Sequence, residues 1–280
     1  MREIYEFRIL ERYAPLLFSK GEGEVLKDWI RKINIAPEDP KFAAIGELAK
    51  ELRSKDDHLF FGWNVVRTYT KAELDDARLF QLLPVARFAP EGERCGTVYD
   101  DSDVCPHCGS GGRITEGLFV SQTRLPKTSD IAMSIAHEII VSQRLVDAFT
   151  RENITGVVFQ PLHKKKRKED GFCGWYEWIV TSGDVEIAPP TRVGDGPFDL
   201  ETEGKQACPY GDNLGHNLLS ELTVRAESVS SADVMLSRQY IGLRRGVIRP
   251  RRQIMVSPRV HALFLDYRLK GATFEVAHAI

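Results

Sequence analysis

The chain has 280 residues, a formal net charge of −2 and 42% hydrophobic residues, which is the composition of an ordinary globular protein. The balanced charge excludes a general electrostatic attraction to nucleic acid or to an anionic membrane. The apolar runs are too short to cross a bilayer, and the first residues lack the apolar core of a signal peptide. These features predict a cytoplasmic protein with no membrane partner, in which five cysteines act as thiols or metal ligands rather than as disulfides.

Residues 1–58 are predicted to form an N-terminal extension of a strand followed by helices. Residues 4–10 are rich in β-branched and aromatic side chains, which favour a strand. Residues 25–33 and 42–52 have apolar residues at helical spacing and are separated by prolines, which predicts two helices.

The chain then resembles itself at a fixed offset of 115 residues. Residues 141–145 align with residues 256–260, and the match continues without a gap. Such self-similarity predicts an internal repeat, which decides the fold class. The aligned identities are Phe149 with Phe264, Gly156 with Gly271, Phe159 with Phe274 and His163 with His278.

The predicted fold is α+β, with two related units at residues 59–163 and 174–280. Trp63 and Trp178 have the same relative position in these units, each within an aromatic run. Each unit is expected to contain strands, a cysteine knuckle, a further strand, a helix and a final strand. Residues 164–173 between the units are mostly charged and are predicted to form a solvated linker.

Helices are predicted from capping residues. In the first unit, Ser129 or Asp130 is expected to start a helix that extends over residues 131–139, and Ser142 is expected to start a second. In the second unit, Ser257 is the expected cap, with a proline at the first helical position. Strands are predicted at residues 59–66, 79–88, 117–121, 175–180, 235–241 and 273–276.

The strongest local motif is Cys105-Pro106-His107-Cys108-Gly109. Two cysteines at this spacing place both sulfur atoms on one tight turn, which is half of a tetrahedral zinc site. Cys208 lies in the matching but incomplete motif Cys-Pro-Tyr-Gly and is the predicted third ligand. His216 is predicted as the fourth ligand, with Cys95 as the alternative. A closed site of four protein ligands would be structural, because it leaves no position for a substrate.

Motifs for common catalytic sites are missing from the sequence. No His-x-Glu precedes the cysteine pair, as a zinc deaminase would need. His137-Glu138 is not followed by the second histidine of a metalloprotease. There is also no phosphate-binding loop and no Gly-x-Ser-x-Gly elbow. The sequence therefore favours a binding role over catalysis.

Five arginines without an intervening acid form the predicted partner-binding surface. Arginine is favoured at the centre of protein interfaces, and a basic cluster also suits a nucleic-acid backbone. A solvated surface is the simplest alternative. The residues are Arg244, Arg245, Arg249, Arg251 and Arg252.

The cysteine motif, the Ile-Val-Ser-x-Arg segment that starts at Ile140, and the weaker second copy resemble the myxobacterial double-CxxCG motif proteins. The resemblance covers residues 59–280, but the second motif lacks one of its cysteines. Some members of this group resemble immunity proteins of polymorphic toxin systems. The resemblance implies an immunity protein that binds a cognate toxin and blocks it. The alternatives are a zinc-ribbon protein that binds nucleic acid, and an enzyme with an unrecognised site, such as one that reverses a toxin's modification.

Overall fold

The computed structural model describes residues 1–164, 173–200 and 207–280. The predicted linker at residues 164–173 lies almost entirely outside this part of the chain. Contacts divide the protein into two compact units, Met1–Asp76 and Ala77–Ile280.

The division at Asp76 differs from the boundary predicted at residue 58. The strand that contains Trp63 lies in the N-terminal unit, because it pairs along its length with the first strand of the chain. Trp178 belongs to the larger unit, so the two tryptophans are not equivalent in the fold.

The N-terminal unit is an antiparallel sheet with one long helix. Its strands lie side by side in the order Glu24–Lys27, Ile30–Ile35, Arg2–Leu10 and Phe60–Thr68. A 3-10 helix, Glu11–Leu16, follows the first strand. The elements are β1 (Arg2–Leu10), β2 (Glu24–Lys27), β3 (Ile30–Ile35), α1 (Pro40–Ser54), β4 (Phe60–Thr68) and α2 (Lys71–Asp76).

The core of this unit lies between β1 and α1. Tyr5, Phe7 and Ile9 alternate along β1 and are buried. The ring of Phe42 on α1 lies 4.9 Å from that of Tyr5, measured between centroids. Asp39 caps α1 by accepting a hydrogen bond from a backbone N–H of the first turn, which satisfies one of its unpaired donors. The helix predicted at residues 42–52 is therefore confirmed.

The helix predicted at residues 25–33 is wrong, because these residues lie in β2, a turn and β3. The pairing of β3 with β1 places Ile33 opposite Phe7 and Ile35 opposite Tyr5. All four side chains are buried. Burial on a sheet face therefore overrides the local helical spacing of apolar residues.

Strands predominate in the larger unit, and the predicted α+β class is confirmed. Its elements are β5 (Leu79–Pro84), α3 (Gly92–Cys95), β6 (Tyr99–Asp100), β7 (Arg113–Ile114), β8 (Phe119–Val120), β9 (Ile131–Met133), β10 (Ile139–Ser142), α4 (Gln143–Arg151), β11 (Val157–Pro161), β12 (His163–Lys164), β13 (Trp175–Val180), β14 (Val193–Gly196), β15 (Asp199–Leu200), β16 (Asn217–Leu218), β17 (Thr223–Val224), β18 (Val234–Ile241), β19 (Arg251–Val256), α5 (Pro258–Asp266) and β20 (Ala272–Ala279).

The two main sheets of this unit have matching strand orders. One is β11-β13-β10-β9, and the other is β20-β5-β19-β18 with β17 added beside β20. Their registers also match: Ile140 of β10 pairs with Glu177, and Met255 of β19 pairs with Gln81. The central strand β5 comes from the start of the unit but lies in the sheet that is otherwise built from its end. The two sheets are therefore interlocked along the chain.

Helices α4 and α5 occupy matching positions in the chain. Helix α4 connects β10 to β11, which both pair with β13, and helix α5 connects β19 to β20, which both pair with β5. The Ser142 hydroxyl accepts a hydrogen bond from the Leu145 N–H at 3.3 Å, which caps α4. Ser257 precedes α5, which has Pro258 at its first position. Both of these predicted helices are confirmed.

The helix predicted at residues 131–139 is wrong. These residues form β9, a tight turn and β10. The Ser134 N–H donates to the Glu138 carbonyl at 2.9 Å, and His137 has a left-handed φ of 68°. Pairing between β9 and β10 buries Ile131 and Ile140, so tertiary packing again overrides spacing.

Two buried aspartates join the two halves of the larger unit. Asp130 accepts hydrogen bonds from the Ser142 hydroxyl and from the backbone N–H of Lys270, both at 2.9 Å. Asp233 accepts them from the Ser257 hydroxyl at 2.8 Å and from the backbone N–H of Thr155 at 3.1 Å. Each aspartate thus binds the helix cap of its own half and a backbone turn of the other.

Arg144 and Arg259 extend the same arrangement and have similar surroundings. Arg144 donates to Asp130 at 3.1 Å and to the carbonyl of Arg268 at 3.3 Å. Arg259 donates to Asp233 at 3.0 Å and to the carbonyl of Glu152 at 2.8 Å. Both guanidinium groups therefore neutralise a buried carboxylate and also cap the C-terminal end of the other half's helix.

In the part of the chain that the structure describes, no helix combines the length and apolar composition that a bilayer span requires.

Gly156 follows α4 and Gly271 follows α5. We expect that neither position can accommodate a side chain. A Cβ at either position would lie 2.1 Å from a carbonyl oxygen, that of Val234 or Ile131 respectively. Both have left-handed backbones, with φ of +85° and +105°. We expect Gly156→Ala and Gly271→Ala each to lower the free energy of unfolding by about 2–4 kcal/mol, from backbone strain plus overpacking. Urea denaturation measures this loss.

The control is Gly96→Ala. Gly96 has a similar φ of +109°, but a Cβ there would meet nothing within 4 Å. Its loss should be the strain alone, about 1–2 kcal/mol. Equal losses for all three variants would show that the close approach of the two halves at these glycines contributes nothing.

Candidate metal centre

The first cysteine turn lies between the short strands β6 and β7. The Cys105 N–H donates to the Ser110 carbonyl, and the Gly109 N–H donates to the Cys105 carbonyl, both at 2.9 Å. Gly109 has a φ of +72°, which glycine adopts without strain. These bonds close the turn, so that its two sulfur atoms lie on one side.

The second cysteine turn has a related geometry. The Cys208 N–H donates to the Asn213 carbonyl at 2.8 Å, five residues ahead, as Cys105 does in the first turn. The Tyr240 N–H donates to the Asp212 carbonyl at 2.7 Å and attaches the turn to β18. Gly211 stands where a second cysteine would complete the motif.

The two turns meet and bring four possible metal ligands together. The Sγ atoms of Cys105 and Cys208 lie 3.5 Å apart. The ligand atoms of Cys105, Cys108, Cys208 and Asp212 all lie within 4.8 Å of one another. Tetrahedral zinc with Zn–S bonds of about 2.3 Å separates its sulfur ligands by about 3.8 Å. Three thiolates and a carboxylate therefore fit zinc in both chemistry and spacing.

Burial and backbone amides act differently on the two thiols of the first turn. The N–H groups of Cys108 and His107 lower the pKa of Cys105. Burial raises the pKa of Cys108 to about 11. Because zinc binds thiolates, its uptake would release protons, and its affinity would fall as the pH decreases.

The structure brings together three of the four predicted ligands. His216 is not in the cluster, and its Nδ1 contacts the carboxylate of Asp195. Cys95 lies buried in α3, also outside the cluster. Asp212 takes the remaining place and was not predicted. The sequence feature that could have indicated Asp212 is its position directly after Gly211, which replaces the second cysteine of the motif.

The five predicted partner-binding arginines do not form one exposed patch. Arg249 is only 8% exposed. It donates to Asp101 at 2.7 Å and to Glu93 at 2.8 Å, and its guanidinium carbon lies 3.9 Å from the centroid of the Tyr99 ring. Arg249 thus attaches the strand before the first cysteine turn to the segment that leads into β19.

The other four arginines have different surroundings. Arg244 donates to Asp101 at 2.6 Å. It also packs closely on Gly109, because a Cβ added to Gly109 would lie 2.6 Å from the Cβ of Arg244. Arg251 contacts the Met133 sulfur at 3.4 Å. Arg252 donates to Asp184 at 3.2 Å, and Arg245 is exposed.

Comparison with protein-family models gives no match, and comparison with the curated proteins gives none either.

We expect the purified protein to contain one zinc ion per chain. Cys208→Ser should abolish stoichiometric zinc, and Asp212→Asn should weaken zinc binding, because both remove a ligand from the cluster. His216→Ala is the matched control and should bind zinc as the wild type does, because its ring contacts Asp195 instead. Elemental analysis and competition with a chromophoric chelator measure content and affinity. Zinc loss in His216→Ala together with unchanged binding in Asp212→Asn would assign the fourth ligand to His216.

Arg249→Ala is expected to lower the free energy of unfolding by about 2–3 kcal/mol, because it removes a buried cation that pairs with two acids, both partly exposed to screening water. Arg245→Ala should change it by no more than about 0.5 kcal/mol, as is usual for exposed residues. Urea denaturation compares the two variants. A loss as small for Arg249 as for Arg245 would contradict the anchoring role.

The contribution of Asp101 should depend on pH. The hydrogen bonds from Arg249 and Arg244 lower its pKa from 3.8 to about 2. Its stabilising effect is therefore complete above the unfolded value and is lost as the pH falls through the folded value. We expect the stability difference between wild type and Asp101→Asn to be constant above pH 5 and to shrink between about pH 4 and 2. A difference that does not change with pH would show that the carboxylate charge is irrelevant.

Proposed function

We propose that this chain is a zinc-stabilised immunity protein that binds a cognate bacterial toxin in the cytoplasm and blocks its active site. The supporting observation is the geometry of the cysteine cluster. With a metal bound, its four donors would complete a tetrahedral site and would leave no position for a substrate, which favours a structural role. A metal held in this way would make the surrounding turns rigid, as tight recognition requires.

The tips of the two turns suit the binding of a protein. Pro106 and His107 project from the first turn and are exposed, and Pro209 is exposed on the second. Tyr210 is 70% exposed. Tyrosine is among the residues that contribute most to protein interfaces, because its ring gives a large contact area with little loss of conformational entropy. We propose that these tips enter the active site of the toxin.

We also propose that the two halves of the larger unit arose by duplication. The supporting observations are the matching strand orders, the matching helix caps, and the similar surroundings of Arg144 and Arg259. Replacement of the second thiol by Gly211, with Asp212 beside it, would explain how a four-cysteine site became one of three cysteines and a carboxylate. This history agrees with the double-CxxCG resemblance.

The arrangement of the arginines argues against a nucleic-acid partner. Arg244, Arg249 and Arg252 pair with acids of the same chain. A phosphate backbone would have to compete with these carboxylates. A protein partner that binds the exposed tips of the two turns would not have to displace these carboxylates from the arginines.

An enzyme is the second candidate, and one specific observation favours it. A cleft of the larger unit is lined by His137, Glu138 and Glu177, which come from β13 and from the turn between β9 and β10. Acids and a histidine in a cleft are common in active sites.

Co-expression tests the immunity proposal. The toxin domain encoded beside this gene should be retained on a column that carries this chain, and the chain should relieve the growth arrest that the toxin causes. Tyr210→Asp should weaken the complex at least about 30-fold, as expected for an interface hot spot. Leu265→Asp is the matched control, because Leu265 is 65% exposed but lies on α5 rather than on a turn. Isothermal titration calorimetry measures both affinities. Failure of the toxin to bind, or equal loss in the two variants, would contradict the proposal.

A further inference from the structure

The larger unit contains a cleft of about 420 Å³, a volume typical of small-molecule sites. The cleft lies between the two main sheets, and the glycine-rich loop after the first cysteine turn forms part of its wall. Most of its lining is apolar. Side chains from both sheets contribute, including Leu82, Ile139, Ile179, Leu236 and Ile254.

One end of the cleft carries a cation without a carboxylate partner. Arg251 lines the cleft and is half-buried, and the side-chain contact that the structure shows for it is the Met133 sulfur at 3.4 Å. Burial, followed by the charge of Arg87, lowers its pKa to about 10, so it is still charged at neutral pH. Within the described residues, no acid offsets this cation. A thioether is a weak acceptor for a guanidinium group, which pairs best with a carboxylate or phosphate.

His137 lies at the same end. Its Nδ1 contacts the Arg249 carbonyl at 2.6 Å. Burial, followed by the charge of Arg251, lowers its pKa to about 4, so the ring is neutral at pH 7. Among the residues that the structure describes, the end of the cleft near Arg251 therefore carries net positive charge.

The cleft also carries two acids. Burial, followed by the charge of Glu138, raises the pKa of Glu177 to about 7. Glu138 itself is 6% exposed and accepts a hydrogen bond from the Tyr99 hydroxyl at 2.7 Å. A ligand with a second anionic group would be repelled by this acid pair.

The second half has neutral side chains at the positions of this acid pair, whereas Glu138 in the first half also accepts hydrogen bonds from the Gly92 N–H at 2.9 Å and the Ser134 hydroxyl at 2.6 Å. Glu177 pairs with β10 as Gln81 pairs with β19, and Glu138 aligns with Gln253 at the 115-residue offset. In the second half, the Gln81 amide donates to the Gln253 amide oxygen at 3.0 Å, so that two neutral amides are in contact at these positions. The first half has two carboxyl groups at these positions, at the cost of burying them.

We propose that the cleft binds a small organic monocarboxylate with an apolar body. The carboxylate pairs with Arg251, and the apolar body lies along the aliphatic walls. The acids near Glu177 select against a second negative charge. This binding is independent of toxin neutralisation, because the cleft and the turn tips have different residues.

The fluorescent sulfonate 8-anilinonaphthalene-1-sulfonate, which combines an anion with an apolar body, is a suitable reporter. We expect it to bind the native protein with a stoichiometry of one and to be displaced by octanoate at pH 8. The neutral octanamide should compete at least about tenfold more weakly, because it cannot form the ion pair with Arg251. The dicarboxylate suberate should also compete more weakly than octanoate. No reporter binding, or octanamide competing as well as octanoate, would overturn the proposal.

The variant Arg251→Met should weaken octanoate binding at least about tenfold, whereas the exposed control Arg245→Met should leave it unchanged. Thermal unfolding establishes that each variant is folded. If Arg251→Met proves unstable, the comparison of octanoate with octanamide on the wild-type protein still decides the question. A folded Arg251→Met that binds octanoate as the wild type does would overturn the proposal.

Discussion

The structure of the larger unit depends on the placement of its two central strands. β5 lies early in the chain but pairs with β19 and β20 near its end, while β13 lies between β10 and β11, which precede it. The sheet that contains β5 cannot be completed until segments about 170 residues apart have met. The buried carboxylates of Asp130 and Asp233 reinforce this arrangement, because each is satisfied only when the backbone of the other half is in place.

The position of the metal cluster follows from this interlocking. The first cysteine turn precedes β9 and the second precedes β18, and these strands are the matching edges of the two sheets. The second turn is bonded to Tyr240 of β18, and Arg244, which follows β18, packs on Gly109 of the first turn, so this strand brings Cys208 to Cys105 from far away in the sequence. A bound zinc ion would close a very long loop, and its binding energy would add to the folding energy. Arg249 acts in the same direction, because it attaches the segment before the first turn to the one before β19.

The sequence predicted those features that neighbouring residues determine, which are the starts and ends of helices and tight turns. Ser142 and Ser257, with the glycines that follow their helices, predicted α4 and α5, and the cysteine spacing predicted the first turn. The helix predicted at residues 131–139 was wrong, because pairing with another strand decides the conformation of short apolar segments. Asp212 was missed as a ligand because a carboxylate has no characteristic spacing from distant cysteines. The arginines were predicted to form a surface cluster because Asp101, the acidic partner of Arg244 and Arg249, lies more than a hundred residues away in the sequence.

We propose that the interlocked halves hold one zinc ion by Cys105, Cys108, Cys208 and Asp212. X-ray absorption spectroscopy at the zinc edge of the purified protein tests it most directly. We expect three sulfur neighbours at about 2.3 Å and one oxygen at about 2.0 Å. Two sulfur neighbours with imidazole scattering, or a protein that folds fully without any bound metal and does not take up zinc, would contradict it.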